Sequence, residues 1–101
     1  MSYRDLFADQ VEGFLQQPGA IALDIRDYHS YASGHLSGAE HANEQCMGKL
    51  IRKRKQKPPV LVYCYHGILS RDFAQLVHNL GFENVYHLVG GYNSWSQIAG
   101  V

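Results

Sequence analysis

The sequence has few cysteines, few charged residues and no long apolar stretch. Two cysteines in 101 residues, with no basic-then-apolar segment at the start of the chain, argue against a disulfide framework and predict a reducing, cytoplasmic location. The longest apolar run, residues 60–65, has six residues, whereas a membrane-spanning helix needs roughly 20. Charged residues make up 18% of the chain, too few for a solvated, disordered tail. We therefore expect a single domain over residues 1–101 that is not inserted in a membrane.

Charge is balanced overall but separated along the chain. Residues 1–44 hold seven acidic and two basic residues, whereas residues 45–71 hold seven basic residues and no acidic one. A net charge of zero argues against nucleic-acid binding by the protein as a whole. The basic run at residues 52–57 could still bind nucleic acid or an acidic protein, or steer anionic donors toward the Cys64 loop. A solvated helix end is the simpler interpretation of this run.

Apolar periodicity predicts helices that alternate with short strands. Strands are expected at residues 20–25, 39–41, 60–63 and 84–89. A first helix is expected from a cap at Ser2 to Leu15, and later helices are expected to begin at Asp27, Asn43, Ser70 and Tyr92. This alternation predicts an α/β fold in which a central parallel sheet of four to five strands carries helices on both faces.

Cys64 is the clearest candidate catalytic residue. It directly follows the strand predicted at residues 60–63, and functional sites of parallel sheets form at the carboxyl ends of the strands. Amide donors of the loop and of the helix expected at Ser70 would lower the pKa of the thiol from about 8.5 to roughly 3.5–7.5. The sequence thus predicts a nucleophilic thiolate in an anion-binding loop. The alternative, a buried structural cysteine, is preferred for Cys46, which lies beside an apolar helix stripe.

Three motifs in the same order resemble those of the rhodanese-like sulfurtransferases. Residues 64–71 are similar to the active-site loop of the single-domain bacterial thiosulfate sulfurtransferases, some of which carry a Cys-Tyr-His-Gly loop. Residues 23–27 and 34–39 resemble the N-terminal motif of the family, and residues 90–95 resemble its C-terminal motif. The resemblance implies a rhodanese-like fold with Cys64 as the catalytic residue. It also implies that the rest of the loop binds substrate: Tyr65, His66, Gly67, Ile68, Leu69, Ser70 and Arg71.

The resemblance implies a transfer of sulfane sulfur in two half-reactions. The Cys64 thiolate would attack the outer sulfur of a small anionic donor such as thiosulfate, release sulfite and hold the sulfur as a persulfide. Backbone N–H groups of the loop would stabilise the added charge. A thiol, a protein thiol or cyanide would then accept the sulfur. The family reaction requires neither a metal nor an organic cofactor.

Residues around Cys64 are expected to differ in role. Asp24 and Arg26 lie at the end of a neighbouring strand and are expected to support the loop rather than react. His66 or Arg71 could attract an anionic donor, although either could equally lie outside the site. Ile68 and Leu69 stand where many relatives carry small polar or basic residues, which predicts a more apolar pocket wall and leaves the donor preference open.

Two other functions fit the same resemblance. Phosphatases and arsenate reductases of this fold need an arginine after five intervening residues to bind a tetrahedral oxyanion, and position 70 here is serine. A non-catalytic rhodanese-like docking module is the closer alternative. Such modules often lack the nucleophile, whereas Cys64 is present.

Overall fold

Five short parallel strands form the centre of the computed structural model, which describes residues 2–100. In chain order they are β1 (Arg4–Leu6), β2 (Ile21–Asp24), β3 (Glu40–His41), β4 (Val60–Tyr63) and β5 (Val85–Leu88). Their order across the sheet is β1-β5-β4-β2-β3, so β4 is central. Every residue of β4 is buried, as expected for a parallel strand covered on both faces. The predicted α/β fold with four to five parallel strands is confirmed, with five.

Helices cover both faces of the sheet. They are α1 (Val11–Leu15), α2 (Tyr28–Ser33), α3 (Glu44–Arg52), α4 (Leu69–Asn79) and α5 (Gly91–Ala99), with 3₁₀ turns at Ala8–Gln10 and Arg54–Gln56. Because side chains alternate along a strand, Leu61 and Tyr63 of β4 belong to one apolar cluster and Val60 and Val62 to the other. The first cluster includes residues of α1 and α5, and the second includes residues of α3 and α4. No helix within residues 2–100 is long and apolar enough to cross a membrane.

The predicted cap at Asn43 is confirmed, and the helix predicted to begin at Asp27 begins at Tyr28 with Asp27 as its cap residue. The Asp27 carboxylate accepts the Ser30 N–H at 3.0 Å at the start of α2, and the Asn43 side-chain oxygen accepts the Cys46 N–H at 2.8 Å at the start of α3. Each side chain satisfies an amide that has no partner within its own helix.

The predicted N-terminal helix is wrong at its beginning. Residues 4–6 form the edge strand β1, and α1 begins only at Val11 after the 3₁₀ turn. The Gln10 side chain accepts the Phe7 N–H at 2.9 Å, so the cap lies five residues later than the predicted Ser2 cap. Local periodicity favoured a helix, but pairing with the free edge of β5 satisfies the backbone of residues 4–6 instead.

The predicted cap at Ser70 is also wrong. α4 begins at Leu69, with Ile68 as the cap residue, and Ser70 lies inside the first turn. Its side chain is fully buried, and its hydroxyl lies 3.1 Å from Nδ1 of His87. The Ser70 hydroxyl therefore contacts His87 in the tertiary structure instead of capping α4, as the sequence pattern predicted.

Candidate active site

Cys64 lies directly after β4, at the start of the loop that leads into α4. Its Sγ accepts the N–H of Gly67 at 3.2 Å and the N–H of Ser70 at 3.4 Å. Burial opposes ionisation of the thiol, but hydrogen bonds from the Ser70 hydroxyl and from the amides of Ser70, Gly67 and His66 outweigh it. The pKa of Cys64 therefore lies below its ordinary value. The loop supplies the thiolate with fixed donors and no cation.

A cavity of about 370 Å³ opens onto the Cys64 side chain. Cys64 is 5% exposed and lies in the cavity wall, so the sulfur is sheltered but not sealed. Ile68 and Leu69 are 63% and 68% exposed and give the mouth of the cavity an apolar rim. The complete lining is Ile25, Arg26, Asp27, Cys64, Tyr65, His66, Ile68 and Leu69. The cavity is therefore bounded by the β2 end of the sheet and by the Cys64 loop.

The Cys64 loop packs against the turn that begins α5. Gly67 has a φ of +83°, and a Cβ atom there would lie 2.8 Å from the amide nitrogen of Gly90. A Cβ atom at Gly91 would lie 2.6 Å from the carbonyl oxygen of Cys64. The Tyr92 N–H donates to that same carbonyl at 2.8 Å. Only glycines allow this approach, and it fixes the direction in which the loop amides point.

Asp24 and Arg26 form a buried, two-pronged ion pair next to the cavity. Arg26 Nε lies 3.0 Å from Asp24 Oδ1, and Arg26 Nη2 lies 2.7 Å from Oδ2. The guanidinium also donates to the carbonyl of Gly34 and lies 4.0 Å from the ring centroid of Tyr92. The pair thus joins β2, α2 and α5. Because Asp24 neutralises Arg26, this cation adds little net positive charge to the cavity.

Asp27 is a cavity residue that the sequence analysis treated only as the start of a helix. Its Oδ1 accepts the Tyr65 hydroxyl at 2.8 Å, and both the amide and the hydroxyl of Ser30 donate to its carboxylate. These bonds, that from Tyr65 first, lower the pKa of Asp27 to about 2. An ionised carboxylate therefore lies on the wall of the Cys64 cavity. Its place three residues after the end of β2, at the carboxyl edge of the sheet, was the available sequence signal.

Arg71 lies away from the Cys64 cavity. It lines a second cavity of about 410 Å³ on the other side of the loop, together with Asp5 and His87. His66 lines both cavities. Local sequence patterns do not connect Asp5 with His87, because they place Asp5 in a helix. In the sheet the two residues are direct neighbours on β1 and β5.

Cys46 and the basic run at residues 52–57 lie outside the site. Cys46 is buried among apolar residues on α3, and burial raises the pKa of its thiol.

The basic run at residues 52–57 precedes β4, so it lies at the amino end of the strand whose carboxyl end carries Cys64. Within it, Lys57 pairs with Glu83 at 3.2 Å. The four residues of β4 span about 13 Å, more than the screening length of roughly 8 Å in physiological salt, so this position does not favour steering toward Cys64. Within residues 2–100, no group of three or more His, Cys, Asp or Glu side chains is placed to hold a metal ion.

Comparisons with known proteins agree with this geometry. The family described as "Rhodanese-like domain" matches residues 7–98. The chain is 41% identical over 81 residues to a protein named Thiosulfate sulfurtransferase GlpE from Pseudomonas fluorescens SBW25, which covers 80% of this chain and 74% of the relative. A protein of the same name from Actinobacillus pleuropneumoniae is 33% identical over 96 residues, covering 95% of this chain and 89% of the relative.

A solved structure shows the same fold at low sequence identity. The crystal structure of Saccharomyces cerevisiae Ygr203w, described as a homolog of single-domain rhodanese and the Cdc25 phosphatase catalytic domain, superposes with a TM-score of 0.78 at 16% identity. The match covers 98% of this chain and 83% of that protein. Since the family match and the curated relatives both span most of the sequence, the chain belongs to the rhodanese-like domain family.

Proposed function

We propose that this protein is a sulfurtransferase that moves a sulfane sulfur from a small anionic donor such as thiosulfate to a thiol, a protein thiol or cyanide. The observation that carries the proposal is the Cys64 Sγ, held in a cavity wall by two amide donors and with a lowered pKa. The names of the curated relatives support thiosulfate as the donor.

In the first half-reaction, the Cys64 thiolate attacks the outer sulfur of thiosulfate. A new S–S bond forms to Cys64, the S–S bond of the donor breaks, and sulfite leaves with the bonding electron pair. The enzyme is left with a Cys64 persulfide whose outer sulfur carries the negative charge. The loop amides of residues 65–70 would stabilise this charge, and those of Gly67 and Ser70 already donate to Cys64 Sγ.

In the second half-reaction, an acceptor thiolate or cyanide attacks the outer sulfur of the persulfide. The acceptor keeps that sulfur, and Cys64 leaves as a thiolate. A thiol of low pKa is a good leaving group, so the donors that ionise Cys64 assist both halves of the cycle.

The remaining loop residues have distinct proposed roles. Tyr65, His66, Ile68 and Leu69 line the path that substrates take to the sulfur. Asp24 and Arg26 hold the neighbouring strand end in place. Arg71 lines the second cavity, on the other side of the loop from the Cys64 cavity. We also propose a single domain over residues 1–101 and a reducing, cytoplasmic setting, which suits two free thiols.

Mass spectrometry of the protein after incubation with thiosulfate tests the proposal. The wild-type chain should gain the mass of one sulfur atom and lose it again on addition of cyanide. Cys64→Ala should gain nothing. Cys46→Ala is the matched control, because that cysteine lies in the core cluster of α3, and it should gain one sulfur as the wild type does. If the wild type gains no sulfur from thiosulfate or from an organic persulfide, the protein is a docking module instead.

A further inference from the structure

A line of hydrogen-bonding groups leads from the protein surface through the sheet to Cys64. The exposed Asp5 carboxylate lies 3.1 Å from Nε2 of His87, its direct neighbour across β1 and β5. Nδ1 of the buried His87 lies 3.1 Å from the Ser70 hydroxyl. The Ser70 amide donates to the Cys64 sulfur at 3.4 Å, and the Ser70 side chain lowers the pKa of the same thiol. None of Asp5, His87 or this use of Ser70 belongs to the sulfur-transfer steps described above.

The carboxylate of Asp5 decides which nitrogen of neutral His87 carries the proton. A carboxylate can only accept hydrogen bonds, so Nε2 must be the N–H donor toward Asp5. Nδ1 of the neutral ring is then an acceptor and takes the hydroxyl proton of Ser70. In this state the single hydroxyl proton of Ser70 is shared between two acceptors, Nδ1 of His87 and the Cys64 sulfur, so the hydrogen bond that lowers the pKa of Cys64 is weakened.

Protonation of His87 reverses this arrangement. With a proton on each ring nitrogen, Nδ1 donates to the Ser70 oxygen, and the hydroxyl proton of Ser70 is free to turn to the Cys64 sulfur. One proton is taken up from solvent and forms the N–H bond at Nδ1, and the Cys64 thiolate receives the full hydrogen bond of the Ser70 hydroxyl. The second cavity, which Asp5 and His87 both line, gives solvent a route to the ring.

We propose that His87 is a positioning residue that controls, through the Ser70 hydroxyl, how much negative charge the Cys64 sulfur can hold. Acidification protonates His87 and turns the Ser70 hydroxyl toward the thiolate, so the sulfur stays ionised at a pH where it would otherwise be protonated. The control rests on Cys64 being the nucleophile of the proposed function, but not on which donor or acceptor it serves.

The surroundings of His87 place it in the neutral state at neutral pH. Burial lowers the pKa of His87, and the nearby charge of Arg71 on α4 acts in the same direction, whereas Asp5 on β1 opposes them. Two other titratable residues lie near it: His66, which lines the same cavity, and Tyr3, whose ring meets it edge-on at 5.5 Å between centroids. Val62 is its register partner on β4. The switch therefore operates on the acidic side of neutrality.

Alkylation of Cys64 by iodoacetamide across a pH series tests the control without any sulfur transfer. The series is run in a Cys46→Ala background, so that only one thiol reacts. With His87 in place, the rate should fall less than tenfold per pH unit below about pH 6.5, because two coupled groups titrate together. In His87→Phe the Ser70 hydroxyl has no competing acceptor, so the rate should fall tenfold per unit, be about tenfold faster than with His87 near neutral pH, and converge with it at the acidic end. His78→Phe on the same helix as Ser70 is the matched control and should behave as the wild type does.

A double variant separates this mechanism from a general structural effect. If the hydroxyl of Ser70 carries the coupling, His87→Phe should change nothing further in a Ser70→Ala background. Equal profiles with and without His87, or an effect of His87→Phe that persists in Ser70→Ala, would overturn the proposal.

Nuclear magnetic resonance of the histidine ring nitrogens gives a second test that needs no His87 variant. At neutral pH the unmodified protein should show His87 with its proton on Nε2. Because coupling is reciprocal, the His87 pKa should be lower in Cys64→Ala than in the wild type. A proton on Nδ1, or a His87 pKa that ignores the loss of Cys64, would also overturn the proposal. Failure of thiosulfate to load Cys64 would refute only the proposed function.

Discussion

Replacing Gly67 by alanine should impair Cys64, whereas the same replacement at Gly38 should not. Both glycines have a left-handed φ, +83° at Gly67 and +75° at Gly38. A Cβ atom at Gly38 would meet nothing within 4 Å, whereas at Gly67 it would lie 2.8 Å from the Gly90 nitrogen and 3.0 Å from the Leu88 oxygen. Both close atoms belong to the backbone, so the loop of Cys64 has to move to admit the methyl group.

The expected magnitudes follow from these contacts. The left-handed conformation alone costs alanine about 1–2 kcal/mol, and this penalty applies at both positions. In Gly67→Ala the loop also shifts, and the amide that lies 3.2 Å from Cys64 Sγ is displaced. Loss of a hydrogen bond to a charged acceptor is worth about 1.5–3 kcal/mol, which corresponds to a rise of roughly one to two units in the pKa of Cys64.

Two measurements separate the conformational penalty from the loss of the hydrogen bond to Cys64. Urea unfolding should show Gly38→Ala destabilised by about 1–2 kcal/mol and Gly67→Ala by more than that. The pH dependence of Cys64 alkylation should move to higher pH only in Gly67→Ala, and the rate of persulfide formation from thiosulfate near neutral pH should fall with it. If Gly67→Ala left the alkylation profile unchanged, or if Gly38→Ala shifted it as much, then the amide cradle would not be what ionises the sulfur.

Three further predictions concern charge. Arg26→Ala should lower the free energy of unfolding by about 3–5 kcal/mol, because it leaves the Asp24 carboxylate buried without its partner; a loss below 1 kcal/mol in urea unfolding would contradict the ion pair's supporting role. Asp27→Asn should raise kcat/KM for thiosulfate about threefold at low salt, since it removes an anionic charge from the cavity wall and keeps the acceptor oxygen. That gain should vanish in high salt, and a gain that persists there would have another cause. Lys53→Gln combined with Lys55→Gln should leave kcat/KM for thiosulfate and its salt dependence unchanged, because the basic run lies at the other end of the sheet; a loss that salt suppresses would restore the steering hypothesis.

The features predicted correctly from the sequence depend on short stretches of chain. Residues 60–63 are apolar throughout, which suits only a buried central strand, and this alone places Cys64 at the carboxyl end of the sheet. Asp27 and Asn43 cap the helices that directly follow them. Each of these caps binds an amide only three residues further along the chain, so the local sequence alone determines the contact.

The features that the sequence did not predict depend on contacts between distant residues. Residues 4–6 became a strand because β5 offered a free edge 82 positions away in the register of Arg4 with Tyr86, and local periodicity contains no information about that edge. The same pairing puts Asp5 beside His87. The cavity that Arg71 lines could not be predicted from neighbouring residues either, because it depends on how α4 is oriented relative to the Cys64 loop.

The placement of charge in the site explains why amides rather than cations hold the sulfur. The cation nearest the cavity, Arg26, is neutralised by Asp24, and the wall carries the ionised Asp27. A mobile cation would bind the departing sulfite as readily as the arriving thiosulfate, and would slow its release. Fixed loop amides stabilise charge on and next to the Cys64 sulfur: on Sγ itself in the thiolate, and on the outer sulfur, one S–S bond further out, in the persulfide. The negative wall weakens binding of the donor but also favours departure of sulfite, so the arrangement favours turnover over tight binding of an anion.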